Sequence, residues 1–79
     1  MGEEENYRKA LDIDEEIGDR LGQAQDLVFL GSVYVRRGEW ERAEEYYGRG
    51  LKMFEEIGAK HLVNQTRDSL AKLKEMRDD

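Results

Sequence analysis

The sequence predicts an all-α fold of four antiparallel helices, and three observations carry that prediction. Gly18, Gly38 and Gly58 stand 20 residues apart, and each closes a segment whose apolar residues recur mainly at spacings of three and four. An offset of 40 aligns Glu4–Gly18 (EENYRKALDIDEEIG) with Glu44–Gly58 (EEYYGRGLKMFEEIG), identical at eight of fifteen positions. The 79 residues include no proline, so nothing in the chain forces a helix to kink or stop except its turns. Glycine suits those turns because the residue just past a helix often takes a left-handed conformation, which costs glycine no side-chain clash.

The first helix is expected from about Glu3 to Ile17, with Tyr7, Ala10, Leu11 and Ile17 on one face. Asp14 interrupts that face where the later copy has Phe54, which predicts a terminal helix less completely buried and kept soluble by the charge. The second helix, about Arg20 to Arg37, has Asp19 as its cap and a wide apolar face of Ala24, Leu27, Val28, Leu30, Gly31 and Tyr34. Arg36 and Arg37 suit its carboxyl end, where the helix dipole favours cations. Gly31 costs ~1 kcal/mol relative to alanine inside a helix, so its presence predicts a close approach by another element.

The third helix, about Glu39 to Ile57, sets Trp40, Ala43, Tyr47, Gly50, Phe54 and Ile57 on one stripe. This helix carries the heaviest side chains, and its aromatic stripe reads as core packing rather than as a cofactor or base-stacking surface. The fourth helix, about Lys60 to Arg77, puts Leu62, Val63, Thr66, Leu70, Leu73 and Met76 roughly on one side. Its register sets Leu70 opposite Leu30 and Ala71 opposite Gly31, so it copies the second helix. Leu30, Tyr34, Trp40 and Tyr47 should share one core. The acidic pairs Glu15-Glu16 and Glu55-Glu56, and Lys60 at a helix start, oppose the helix dipole and predict weakly held turns at Gly18 and Gly58.

Composition narrows the function. Charged residues make up 41% of the chain at a net charge of -6, with the two signs interspersed, which describes solvated helix faces rather than a surface for nucleic acid. Pairs at i,i+4 such as Glu5 with Lys9 and Glu45 with Arg49 would support those faces. With no cysteine there is neither a disulfide framework nor a thiolate metal site. No apolar run approaches 18 residues and no basic-then-apolar leader is present, so the expectation is neither a membrane span nor a signal peptide, and a cytoplasmic protein. His61, the one histidine, has no glutamate three residues before it and reads as an ordinary surface residue, not a metal ligand. No nucleophile elbow, phosphate loop, zinc spacing or calcium loop occurs, and Ser32 and Ser69 have no local histidine base. The chain is therefore expected not to be an enzyme and to carry no cofactor.

Leu27, Leu30, Gly31 and Tyr34, followed by Ala43 and Tyr47, have the order and spacing of Trp-x2-Leu-Gly-x2-Tyr and then Ala-x3-Phe. On these residues the chain resembles the tetratricopeptide repeat, with Leu27 for the Trp and Tyr47 for the Phe. The usual terminal proline is missing, as in the longer repeats of about 40 residues found in kinesin light chains and bacterial peptide-sensing regulators. The resemblance implies a single domain over residues 1–79: half a repeat at 3–18, a complete repeat at 19–58 and half a repeat at 59–77. It also implies that Gly31 lies where two helices pack closely.

In the family, the first helices of successive repeats line a concave groove that holds a peptide or partner helix. The matching positions here are Gln25, Val28, Phe29, Ser32, Val35 and Arg36 on the second helix, and Gln65, Asp68, Ser69, Lys72 and Glu75 on the fourth. Relatives that clamp a peptide carboxyl terminus use lysine, asparagine and arginine there; Val28 and Ser32 replace the lysine and asparagine, so the clamp does not carry over. The expected function is a non-catalytic module that binds a protein or peptide through this groove. The alternative is a self-assembling structural unit, excised or engineered from a longer array, with no external ligand. Terminal helices that lack a covering neighbour would leave Tyr7, Ile13, Leu70 or Leu73 partly bare, which predicts a homo-oligomer, most simply a symmetric dimer.

Overall fold

All four expected segments form helices within about a residue of the expected ends: α1 (Gly2–Ile17), α2 (Arg20–Arg36), α3 (Trp40–Ile57) and α4 (Lys60–Asp78). The structure is a computed structural model that describes residues 2–78, and among these residues there is no strand. Gly18, Gly38 and Gly58 take φ of 73°, 74° and 84°, the left-handed conformation expected of them. Past each glycine the chain donates back into the helix it has left: Asp19 N–H to Asp14 O at 2.8 Å, Glu39 N–H to Tyr34 O at 2.9 Å and Ala59 N–H to Phe54 O at 3.0 Å. These bonds satisfy carbonyls that a helix end otherwise leaves without partners.

The turns at Gly18 and Gly58 are thus closed like the one at Gly38, in contrast to the weak turns expected from the acidic pairs. The pair ending α3 is engaged by cations of the neighbouring helices, Glu55 with Arg67 at 2.9 Å and Glu56 with Arg20 at 2.7 Å. At the start of α2, Asp19 is the expected cap, its carboxylate accepting from Gly22 N–H at 2.9 Å.

Each helix packs mainly on its successor in the chain, giving a slab whose Cα atoms span 41 × 31 × 14 Å. The α2–α3 pairing is the most extensive and is made by missing side chains. A Cβ placed on Gly31 would come within 2.8 Å of Tyr47 Cδ1, and one on Gly50 within 2.7 Å of Val28 Cγ2 and 3.0 Å of Ala24 O. Each glycine therefore admits the other helix. Around these contacts, Leu30, Tyr34, Ala43, Tyr47 and Leu73 form one buried cluster, with Trp40 packed at its margin; Ala24, Phe54 and Val63 form a second.

α1 buries no residue completely, as its interrupted face implied. Tyr7, Ala10 and Leu11 are half-buried, but Ile17 is 70% exposed rather than on the packed face, because the last residue of the helix stands where the chain reverses. Leu73 is 1% exposed, so it is core and not a bare residue of the terminal helix; Met76, one turn later, is exposed. The helical pair formed on α1 is Arg8 with Glu4 at 3.0 Å, and neither Glu5–Lys9 nor Glu45–Arg49 is among the ion pairs of the described residues. Glu4 holds the amino end of α1 to the rest. It accepts from the buried Tyr34 hydroxyl at 2.8 Å and from Arg37 at 2.6 Å, while Arg8 also donates to that hydroxyl.

Candidate functional site

Between α2 and α4, with α3 beneath, lies a cleft of about 170 Å³. Its position follows from the fold: α2 and α4 are copies at the same place in the repeat, and both lean on α3, so their facing sides bound a trough. Gln25, Val28 and Phe29 come from α2, Leu62, Gln65, Thr66 and Ser69 from α4, and Phe54 from α3. Val28, Phe54 and Leu62 make the apolar part, while the two glutamines and Ser69 supply hydrogen-bonding groups along it. A second cleft of about 180 Å³ continues from Ser69, lined by Val35, Tyr47, Lys72, Leu73 and Met76. Ser69 lies on both, so the two clefts adjoin at that residue.

Local structure fixes several of these side chains. Phe29 is 46% exposed, yet its ring is stacked on Tyr7 of α1 with centroids 5.2 Å apart. Thr66 and Ser69 turn their hydroxyls back to the carbonyls of Leu62 and Gln65 at 2.8 and 3.2 Å. Ser32 is half-buried between its own helix and α3, with its hydroxyl 3.3 Å from Val28 O and 3.1 Å from the Tyr47 hydroxyl.

Of the residues expected to line a groove, the fold brings together Gln25, Val28, Phe29, Gln65 and Ser69 in the first cleft and Val35, Ser69 and Lys72 in the second. Ser32 sits between α2 and α3 and lines neither cleft. Arg36 is drawn to the α1 side of α2, where its guanidinium donates to both oxygens of Glu3 at 2.7 Å. Asp68 is exposed and, like Glu75, lines neither cleft. Phe54, Leu62 and Thr66 were missed as cleft residues because an apolar stripe read along one helix assigns each position to the core. A signal was present: Leu62, Thr66 and Ser69 fall at four and three residues on one line of α4.

The polar groups lining the two clefts are the amides of Gln25 and Gln65, the hydroxyls of Tyr47, Thr66 and Ser69, and the Lys72 ammonium. Among the described residues no group of three His, Cys, Asp or Glu side chains could hold a metal ion. His61 is exposed and engages Gln65, Nε2 to Nε2, at 3.1 Å. No helix of the described residues is long and apolar enough to cross a membrane.

The comparison with curated proteins gives no match, and neither does the comparison with solved structures. A family model described as tetratricopeptide repeat matches residues 4–56, which includes most of α1, all of α2, all but the last residue of α3 and the two close-packing glycines. On that match, and on four helices turning at 20-residue intervals, the chain belongs to the tetratricopeptide-repeat family.

Proposed function

We propose that the trough between α2 and α4 receives an extended peptide or an amphipathic helix of a partner protein. Membership of a family of protein-interaction modules supports binding in general. The observation that carries this particular surface is Phe29, a large apolar side chain that stays half in water at the mouth of an apolar-floored cleft while Tyr7 holds its ring in place. Fully burying a phenylalanine gains about 1.5–3 kcal/mol, and roughly half of that is still available to a partner here. The glutamines and Ser69 would meet backbone amides or neutral side chains, and Lys72 a carboxylate of the partner.

The test is selection of binding peptides from a random display library, followed by titration of the selected peptide into the parent and three variants. Phe29→Ala and Gln65→Ala should weaken binding, Phe29→Ala by about tenfold or ~1.4 kcal/mol. Arg36→Ala should leave the affinity as it is, since Arg36 faces Glu3. Amide shifts induced by the peptide should cluster on residues 25–29 and 62–69. Shifts confined to the outer faces of α1 and α4, or equal affinities for Phe29→Ala and parent, would refute the reading.

Association between copies is the second reading, favoured by Ile13 and Ile17, one helical turn apart on α1 and both exposed. A symmetric dimer would bury this patch twice. Sedimentation equilibrium decides it, a constant mass near 9.3 kDa over the micromolar range excluding the dimer.

A further inference from the structure

The two halves of the 40-residue repeat differ most in chemistry at one joint. Where α3 meets α4, the side chains are Phe54, Ala59, Leu62 and Thr66; the corresponding residues where α1 meets α2 are Asp14, Asp19, Gly22 and Asp26. Three carboxylates have replaced an apolar contact. Gly22 makes the room: a Cβ there would stand 2.5 Å from Asp14 Oδ2 and 2.7 Å from Asp19 Oδ2, so both carboxylates lie over its Cα. Asp14 and Asp19 are thereby held at the amino end of α2, where free N–H groups and the helix dipole favour negative charge. Asp19 also caps that end.

Asp26 is one turn further along and differently placed. It is 8% exposed, and its Oδ2 is buried with no hydrogen-bond partner. Asp14 from α1 lies over Gly22, four residues before Asp26 on the same helix face, and Asp14 and Asp19, both acidic, are the charges acting on it. The nearby Arg20 guanidinium is engaged by Glu56 of α3 at 2.7 Å. Two carboxylates cannot bond to each other, because both only accept. With a proton on Asp26, a carboxylic acid can donate to the Asp14 carboxylate, which gives the buried side chain a partner that two carboxylates cannot provide.

We propose that Asp26 and Asp14 share a proton, forming a proton-linked clasp that fastens the carboxyl end of α1 to α2. The proton resides on Asp26, which is buried in the helix interior, while Asp14 keeps its charge at the helix amino end. Burial, the hydrogen bond with Asp14 and the charges of Asp14 and Asp19 push Asp26 up from 3.8 to about 7. A group raised in the folded state holds its proton over a range where the unfolded chain has lost it. The contribution of the clasp is therefore complete below about 4, falls as pH rises and is gone above about 7. This holds whatever the α2–α4 trough binds.

The measurement is the urea unfolding constant of the parent and Asp26→Asn at pH 4.5, 6 and 8, with the difference between the two proteins removing the titration of other groups. Asparagine can donate its amide N–H to Asp14 at every pH, with no proton to lose. The parent should lose between about tenfold and a thousandfold in folding constant across this range relative to Asp26→Asn. Parallel profiles would overturn the proposal. Should Asp26→Asn fail to fold, carboxyl carbon NMR of the parent reads the group directly: a midpoint for Asp26 above about 5.5 is expected, and one near 4 overturns the shared proton. Calcium chloride added to the parent at pH 8 should leave the unfolding constant unchanged; stabilisation would assign the joint to a cation and overturn the clasp.

Discussion

Replacing Gly31 tests the packing that defines this fold, and Gly48 provides an internal control. Both glycines are helical and neither has positive φ. A Cβ on Gly48 has nothing within 4 Å, so Gly48→Ala should stabilise the protein by the helix-propensity gain of ~1 kcal/mol. A Cβ on Gly31 would stand 2.8 Å from Tyr47 Cδ1 and 2.9 Å from Cε1, where ordinary contacts begin near 3.4 Å. The ring cannot swing aside freely, since Tyr47 is buried and its hydroxyl is tied to Ser32. Overpacking of this kind costs about 1–3 kcal/mol, which cancels or exceeds the propensity gain. Gly31→Ala should thus be neutral to ~2 kcal/mol destabilising, and the two alanine variants should differ by about 1–3 kcal/mol. For a domain of this size that separates their melting temperatures by at least about 4 °C. Gly31→Leu should be worse, because displacing the ring also forfeits the Ser32 hydrogen bond, worth ~1 kcal/mol. Circular-dichroism melts and urea titrations of the three variants against the parent are sufficient. If Gly31→Ala stabilises as much as Gly48→Ala, the close-approach argument is refuted.

Two further perturbations probe the terminal helices. Leu73→Ala should cost about 2–5 kcal/mol by opening a cavity beside Tyr47, whereas Met76→Ala, at an exposed position, should stay within about 0.5 kcal/mol; comparable losses in urea titration would mean that α4 packs in another register. At the other end of the chain, hydrogen bonds from Tyr34, Arg8 and Arg37 hold Glu4 down at about 2 against an ordinary 4.5. A depressed carboxyl stabilises above its ordinary value and loses that stabilisation as pH falls toward 2, so amide exchange of α1 should quicken in acid over that window, and Glu4→Gln should flatten the response. An unchanged acid response in Glu4→Gln would refute the Glu4 anchor. The amino end of α1 is thus loosened as pH falls toward 2 and the proposed clasp at its carboxyl end as pH rises toward 7.

Much of the architecture was legible because it rests on local rules. A glycine every 20 residues, each just past a helical segment, marks a left-handed turn because glycine adopts that conformation without a side-chain clash, and the spacing from Leu27 to Tyr47 dictates which side chains one hairpin can bury. Gly31 was readable as a contact point because a glycine inside a helix is unfavourable unless something fills its place; Tyr47 does. The site was legible only in part. Position within the repeat singled out Phe29, Gln25, Gln65 and Ser69, but it treated each helix as if its neighbours were those of an average array. Arg36 turns away because Glu3 of α1 offers its carboxylate within 2.7 Å, and no pattern within α2 contains that information.

Taken alone, the sequence determined what depends on residues close together in the chain: helix limits, turn conformation, the cap at Asp19 and the family. Tertiary structure alone decided which polar groups meet across helices. Asp14 read as a charge keeping a terminal helix soluble, but the fold turns it onto the amino end of α2 beside a buried Asp26. Burial and charge pairing depend on distances between segments remote in sequence, and those distances exist only once the helices have packed.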